Sequence, residues 1–156
     1  MPEFPIHGSP HFDCREFVDA RTWSILGPKC AYLIDPKIVR VSDLLRELAG
    51  AAVKINNWHY AKRGQNVYNS SGFRAIWDST GGSLSQHRCG RAADYKVTGF
   101  SPSLLLTLVQ RNKAAFVEAG LTTIENIQFT PTWLHCDVRP RLQGIHPEND
   151  FLIVDP

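Results

Sequence analysis

The 156-residue chain contains no run of about eighteen apolar residues, so no helix is expected to span a membrane. Its first thirty residues mix prolines, charges and histidines without a continuous apolar stretch, and no signal peptide is expected from them. On that basis the chain is expected to be made and kept in the cytoplasm unless something else exports it. Basic residues form no dense run, and the net charge is only +2 with a pI near 8.4, which argues against nucleic acid as the partner. So mild a charge allows loose attraction to an anionic surface such as a cell wall without requiring it. Cys14, Cys30, Cys89 and Cys136 make no CxxC pair, so a structural zinc knuckle is not expected. A disulfide framework is not indicated in a chain of this size, and four reduced, mostly buried thiols are the expectation. Internal repeats and low-complexity tracts are absent too.

What remains is ordinary globular material. The length fits one domain, and 43% hydrophobic with 21% charged residues lies near globular averages. Met1 to Pro10 reads as an irregular arm and Pro140 onward as a tail. A helix is predicted to start near Ser42 as N-cap, with Leu44, Leu45, Leu48 and Ala52 on one face. Val53 to Trp58 alternates like a strand, and His59 to Gly82 reads as a long, partly structured excursion. Ala92 to Val97 is a predicted strand. Ser101-Pro102 opens a helix that runs to Gly120, and two strands, Thr122 to Phe129 and Trp133 to Val138, flank a turn at Thr130-Pro131-Thr132. Helices and antiparallel strands alternate without a βαβ rhythm, so the expected class is α+β: a small antiparallel sheet flanked by helices in one domain, residues 1–156.

Two blocks carry chemistry. Ser85-Gln86-His87-Arg88-Cys89-Gly90-Arg91-Ala92-Ala93-Asp94 sets a histidine and a carboxylate seven positions apart. Trp133-Leu134-His135-Cys136-Asp137-Val138-Arg139 adds another histidine and carboxylate. Together they supply two imidazoles and one or two carboxylates, the ligand set of a catalytic zinc site with one position open. Strand alternation puts His135 and Asp137 on one face and Leu134, Cys136 and Val138 on the other. Singly, His7, His11, His59 and His146 read as surface or hydrogen-bonded residues. For His87, Asp94 and His135 together, spacing alone leaves that reading and a shared site both open. An iron facial triad built on His135-Cys136-Asp137 needs a later histidine, and only His146 follows, without the strand pattern such a site requires.

The first block resembles the SxHxxGxAxD pattern of the zinc D-alanyl-D-alanine carboxypeptidase and hedgehog-like superfamily, whose members cut peptidoglycan stem peptides or related D-amino-acid dipeptides. The resemblance extends from about Phe12 to Arg139. Arg15-Glu16-Phe17, Ile55-Asn56-Asn57-Trp58 and Ser71-Gly72-Phe73-Arg74 resemble further segments of phage-type members. It implies a hedgehog/DD-peptidase-like fold, zinc held by His87, Asp94 and His135, and a substrate side formed by Arg74 and Ser85. A guanidinium matches a carboxylate in bidentate geometry, which suits Arg74 to a substrate carboxylate. Arg139 is a weaker candidate of the same kind, and Trp58, Tyr60 and Trp77 could line the cleft.

The chain departs from the pattern at Thr132, where many members carry the acid that serves as general base. Asp137 is the favoured substitute, because strand alternation puts it on the face of His135, and it could instead orient a ligand. Glu125, on the neighbouring predicted strand, is the other, provided its strand pairs in the right register. The expected function is therefore a zinc peptidase of cell-wall peptides, released through a membrane lesion or carried in a virion. The alternative is a non-catalytic zinc-binding phage structural or wall-binding module of the same fold.

Overall fold

The computed structural model describes residues 1–156 as an α+β domain. Helices α1 (Ala20–Leu26), α2 (Pro36–Ala49), α3 (Pro102–Arg111) and α4 (Lys113–Ala119) accompany strands β1 (Val53–Lys54), β2 (Ala92–Val97), β3 (Thr123–Glu125), β4 (Leu134–Asp137) and β5 (Leu152–Val154). The strands form one sheet in the order β1-β2-β4-β3-β5. No helix is long and apolar enough to cross a membrane.

Helix α2 starts a full two turns before the predicted cap at Ser42. Asp35 is the N-cap, accepting from Lys37 N at 3.0 Å, and Pro36 occupies the first turn, where its missing N–H costs nothing. Ser42 lies mid-helix and buried, its hydroxyl donating to Ile38 O at 2.7 Å and meeting Tyr95 Oη at 2.8 Å. The apolar face reaches back through Ile38 and Val39, and that is what burial selects. Ser101 and Pro102 open α3 as predicted, with Ser101 Oγ accepting from Leu104 N. The single predicted helix to Gly120 is interrupted at Asn112 (φ −115°, ψ 28°), whose amide donates to Leu108 O and so closes α3.

The sheet is mixed rather than wholly antiparallel. β1, β2, β4 and β3 pair antiparallel, but β5 joins β3 in parallel, with Thr123 beside Leu152 and Glu125 beside Val154. The predicted tail thus contributes an edge strand, and Phe151 enters the core. The predicted arm is likewise docked: Ile6 is fully buried, Pro5 bridges Asp13, and His7 Nε2 lies 2.8 Å from Ile34 O. The predicted strands at 53–58 and 122–129 shrink to Val53–Lys54 and Thr123–Glu125. Cys14, Cys30 and Cys136 are buried free thiols and Cys89 is exposed.

Register divides the sheet into two faces. Ala93, Tyr95, Leu134, Cys136 and Ile124 point one way, are almost completely buried, and pack toward α2 and α3. Asp94 and His135, paired across β2 and β4, point the other way. That face is covered by the segment between β1 and β2, which is held by scattered side-chain and backbone hydrogen bonds rather than by a ladder. Asn56, fully buried, donates to Val18 O and accepts from Ser71 N at 2.9 Å. Asn57 donates to Asn66 O and accepts from Tyr68 N at 2.7 Å. Ser71 O in turn accepts from Asp94 N at 2.8 Å, stitching the segment to β2.

Candidate metal centre

Three elements deliver three side chains to one point. β2 supplies Asp94, β4 supplies His135 directly opposite, and the 3-10 turn Gln86–Cys89 supplies His87. His135 Nδ1 lies 2.8 Å from Asp94 Oδ1 and 3.2 Å from His87 Nε2, and His87 Nε2 lies 3.3 Å from Asp94 Oδ1. The three residues form a group that could hold a metal ion.

The turn that carries His87 exists because two glycines admit close backbone contact. Gly90 ends it at φ +65°, and a Cβ there would stand 1.8 Å from Leu33 O. A Cβ on Gly72 would stand 2.4 Å from Phe17 O. Gly72 O accepts from His87 Nδ1 at 2.7 Å, which fixes the tautomer and turns the lone pair of Nε2 toward the other two ligand atoms.

Each of the three side chains has an outer partner, an arrangement suited to orienting metal ligands. Asp94 Oδ2 accepts from Arg74 Nη2 at 3.1 Å. Behind His135, its Nε2 faces Asp137 Oδ2 at 3.6 Å. Asp137 is fully buried and clamped by Arg139, whose Nε donates to Oδ1 at 2.8 Å, whose backbone N donates to the same oxygen, and whose Nη2 donates to Oδ2. Burial pushes the Asp94 carboxyl up, yet the neighbouring imidazoles of His87 and His135 outweigh it and hold the group well below the usual carboxylate range. Burial pulls His135 down, but its contacts with Asp137 and Asp94 prevail and raise it to about 9. Asp137, penalised by burial, is nonetheless lowered by His135 and Arg139. A cation entering the group displaces the proton that His135 and Asp94 share, so acid opposes its binding.

The centre opens into a cleft of about 660 Å³ lined by His87, Asp94, His135, Arg74, Ser85 and Glu125. Glu125 enters through register. Thr123 pairs with Asp137 and Ile124 with Cys136, so the next position sets Glu125 across from His135 on the same face. Asp94, His135 and Glu125 thus lie abreast on three adjacent strands. Asp137 sits behind His135, and of the two candidate carboxylates only Glu125 lines the cleft. Arg139 reaches the cleft edge as well as holding Asp137.

Arg74 stands where this cleft meets a second cavity of about 700 Å³, and it lines both. Its Nε donates to Ser70 O at 2.7 Å, while Nη1 makes no hydrogen bond. Thr132 borders the second cavity only. The aromatics expected at the cleft are elsewhere: Trp58 Nε1 donates to Val18 O, Tyr60 borders a separate depression near the N-terminus, and Trp77 lies under Arg21. Tyr68 lines the second cavity and Trp133 lines both, with Lys96 between the two rings. Alternation along β2 could have revealed Lys96, two residues beyond Asp94 on the same face. His146 accepts from Leu142 N within its own loop and takes no part in the group. Comparison with protein-family models, curated proteins and solved structures finds no match to this chain.

Proposed function

We propose that this protein is a zinc-dependent peptidase that hydrolyses an amide bond in peptidoglycan stem peptides or cross-links. The observation that carries the reading is the convergence of two imidazole nitrogens and one carboxylate oxygen, 2.8–3.3 Å apart, on the wall of an open cleft. Tetrahedral zinc with bonds of about 2.0–2.1 Å sets its ligands roughly 3.3 Å apart, so the donor set and spacing fit that ion. The peptidoglycan substrate rests on the resemblance of Ser85 to Asp94, and of the block around His135, to the D-alanyl-D-alanine carboxypeptidase superfamily.

When bound, zinc supplies a Lewis acid that polarises the scissile carbonyl and acidifies a water. Glu125 takes the proton from the attacking water at its carboxylate and returns it to the leaving nitrogen, a task that needs a carboxylate facing the cleft. Asp137 is a poor choice for that task, because Arg139 and His135 already occupy its oxygens. It acts as a positioning residue, holding the imidazole of His135 so that Nδ1 points inward. Arg74 offers its free Nη1 donors to a substrate carboxylate while Nη2 steadies Asp94. Ser85 lines the same cleft.

The test is release of soluble fragments from purified cell walls, followed by mass spectrometry, with and without a chelator. Wild type should release fragments only when metal is present. Glu125→Gln should keep its zinc and lose about 10²–10⁴ in rate. A wild-type protein that binds zinc and walls yet releases nothing would leave the non-catalytic wall-binding module as the better reading.

A further inference from the structure

The second cavity has a chemistry that the metal centre does not explain. Lys96 follows Asp94 by two residues on β2, so its side chain leaves the same face of the sheet about 6.8 Å along the strand. The pairing of Tyr95 with Leu134 sets Lys96 across from Trp133 in the next position. A second row, Lys96 and Trp133, therefore runs parallel to the row of Asp94, His135 and Glu125. Lys96 Nζ stands 4.4 Å from the centre of the Tyr68 ring and 5.6 Å from that of Trp133, and donates to Ser71 Oγ at 3.1 Å. Asp94 attracts it through space, but the two form no ion pair, and Asp94 is engaged by Arg74, His87 and His135.

A half-buried ammonium without an ion-paired carboxylate costs solvation free energy that two rings and a hydroxyl offset only in part. The two rings and Ser71 hold this one in a fixed place on the wall of a roughly 700 Å³ cavity that adjoins the metal centre through Arg74 and Asp94.

We infer that Lys96, framed by Tyr68 and Trp133, is a specificity subsite for a carboxylate carried on the substrate residue beside the scissile bond. The inference rests on the metallopeptidase reading and narrows its substrates to acidic peptides. Arg74 is distinct from it, being bonded to Asp94 and Ser70 next to the metal.

The test uses two short hydroxamates that anchor on zinc and differ only in bearing a glutamyl or a glutaminyl side chain. Their affinities for the zinc-loaded protein are measured by calorimetry. Wild type should favour the glutamyl probe by about tenfold, the return on one charged contact at a partly desolvated site. Lys96→Met should bind both probes alike with its zinc retained, and Lys96→Arg should recover part of the preference. Equal affinity of the two probes in wild type, or an undiminished preference in Lys96→Met, would overturn the subsite and leave the metal centre standing. Failure of both probes to bind the zinc-loaded protein would overturn the open metal site and the subsite together.

Discussion

The sheet face and the segment laid over it build the same site by different means. On the sheet, Asp94, His135 and Glu125 are aligned by strand register, so each backbone hydrogen bond of the ladder helps to place all three. In the segment between β1 and β2, His87 and Arg74 are placed by scattered contacts with no ladder behind them: Arg74 N donates to His87 O, Phe73 N to Phe17 O and Ser71 N to Asn56 Oδ1, and two glycines pack closely. A ladder shares an insult among many bonds. A clamp does not, so single substitutions in the covering segment should disturb the site more than comparable changes on the sheet.

The largest effect is expected at Gly90. Gly90→Ala forces a Cβ into Leu33 O at a left-handed φ and should destabilise the protein by more than about 4 kcal/mol in denaturant unfolding, with loss of the metal site. Asn56→Ala comes next. It leaves Ser71 N–H buried without a partner and should cost about 2–3 kcal/mol, and, because Ser71 O holds Asp94 N, lower metal affinity as well. Were Asn56→Ala to match wild type in both, the clamp would be dispensable and the comparison would fail.

On the sheet side, Asp137→Asn removes the charge behind His135 and puts an amide NH2 where one oxygen accepts, loosening the Arg139 clamp as well. It should leave the fold intact and weaken metal binding about 10–100-fold, as measured by chelator competition. A metal-saturated Asp137→Asn that is as slow as Glu125→Gln would reverse the roles given to the two carboxylates.

The smallest effect concerns Glu16, whose backbone carbonyl anchors Asn56 N at the root of the covering segment. Burial raises its carboxyl to about 7, against an ordinary value of 4.5. The stability it contributes is therefore fully present below about pH 4.5 and is lost as pH rises through about 7. Glu16→Gln cannot lose a proton and keeps an oxygen for Asp13 N. It should be more stable than wild type by about 1–2 kcal/mol at pH 8 and indistinguishable at pH 4. An equal difference at both pH values would assign the effect to packing instead.

The same contrast governs how much could be read from the sequence. β2 was legible at both ends, and so was the Ser101-Pro102 start of α3, because alternation and capping are local. The three residues that converge, His87, Asp94 and His135, were legible as a motif with ordered spacing. Glu125 was legible only as the less favoured of two carboxylates: alternation favoured Asp137, whereas Glu125 depends on β3 pairing with β4 in one register, a choice made by tertiary packing. β5 was missed because a three-residue strand that pairs in parallel after a long connection leaves no local pattern. The start of α2 was misread because Ser42 resembles a cap, whereas Asp35-Pro36 does the capping two turns earlier. The asparagine clamps were invisible, since each bonds to backbone that is remote in sequence or irregular in form.

Anomalous diffraction from zinc-soaked crystals, recorded at the zinc edge, addresses the central claim most directly. One strong peak is expected, within about 2.0–2.2 Å of His87 Nε2, a carboxylate oxygen of Asp94 and His135 Nδ1, with its fourth side open to the Glu125 cleft. A peak bonded to His135 Nε2 and Asp137, or no ordered peak at this group, would contradict the account.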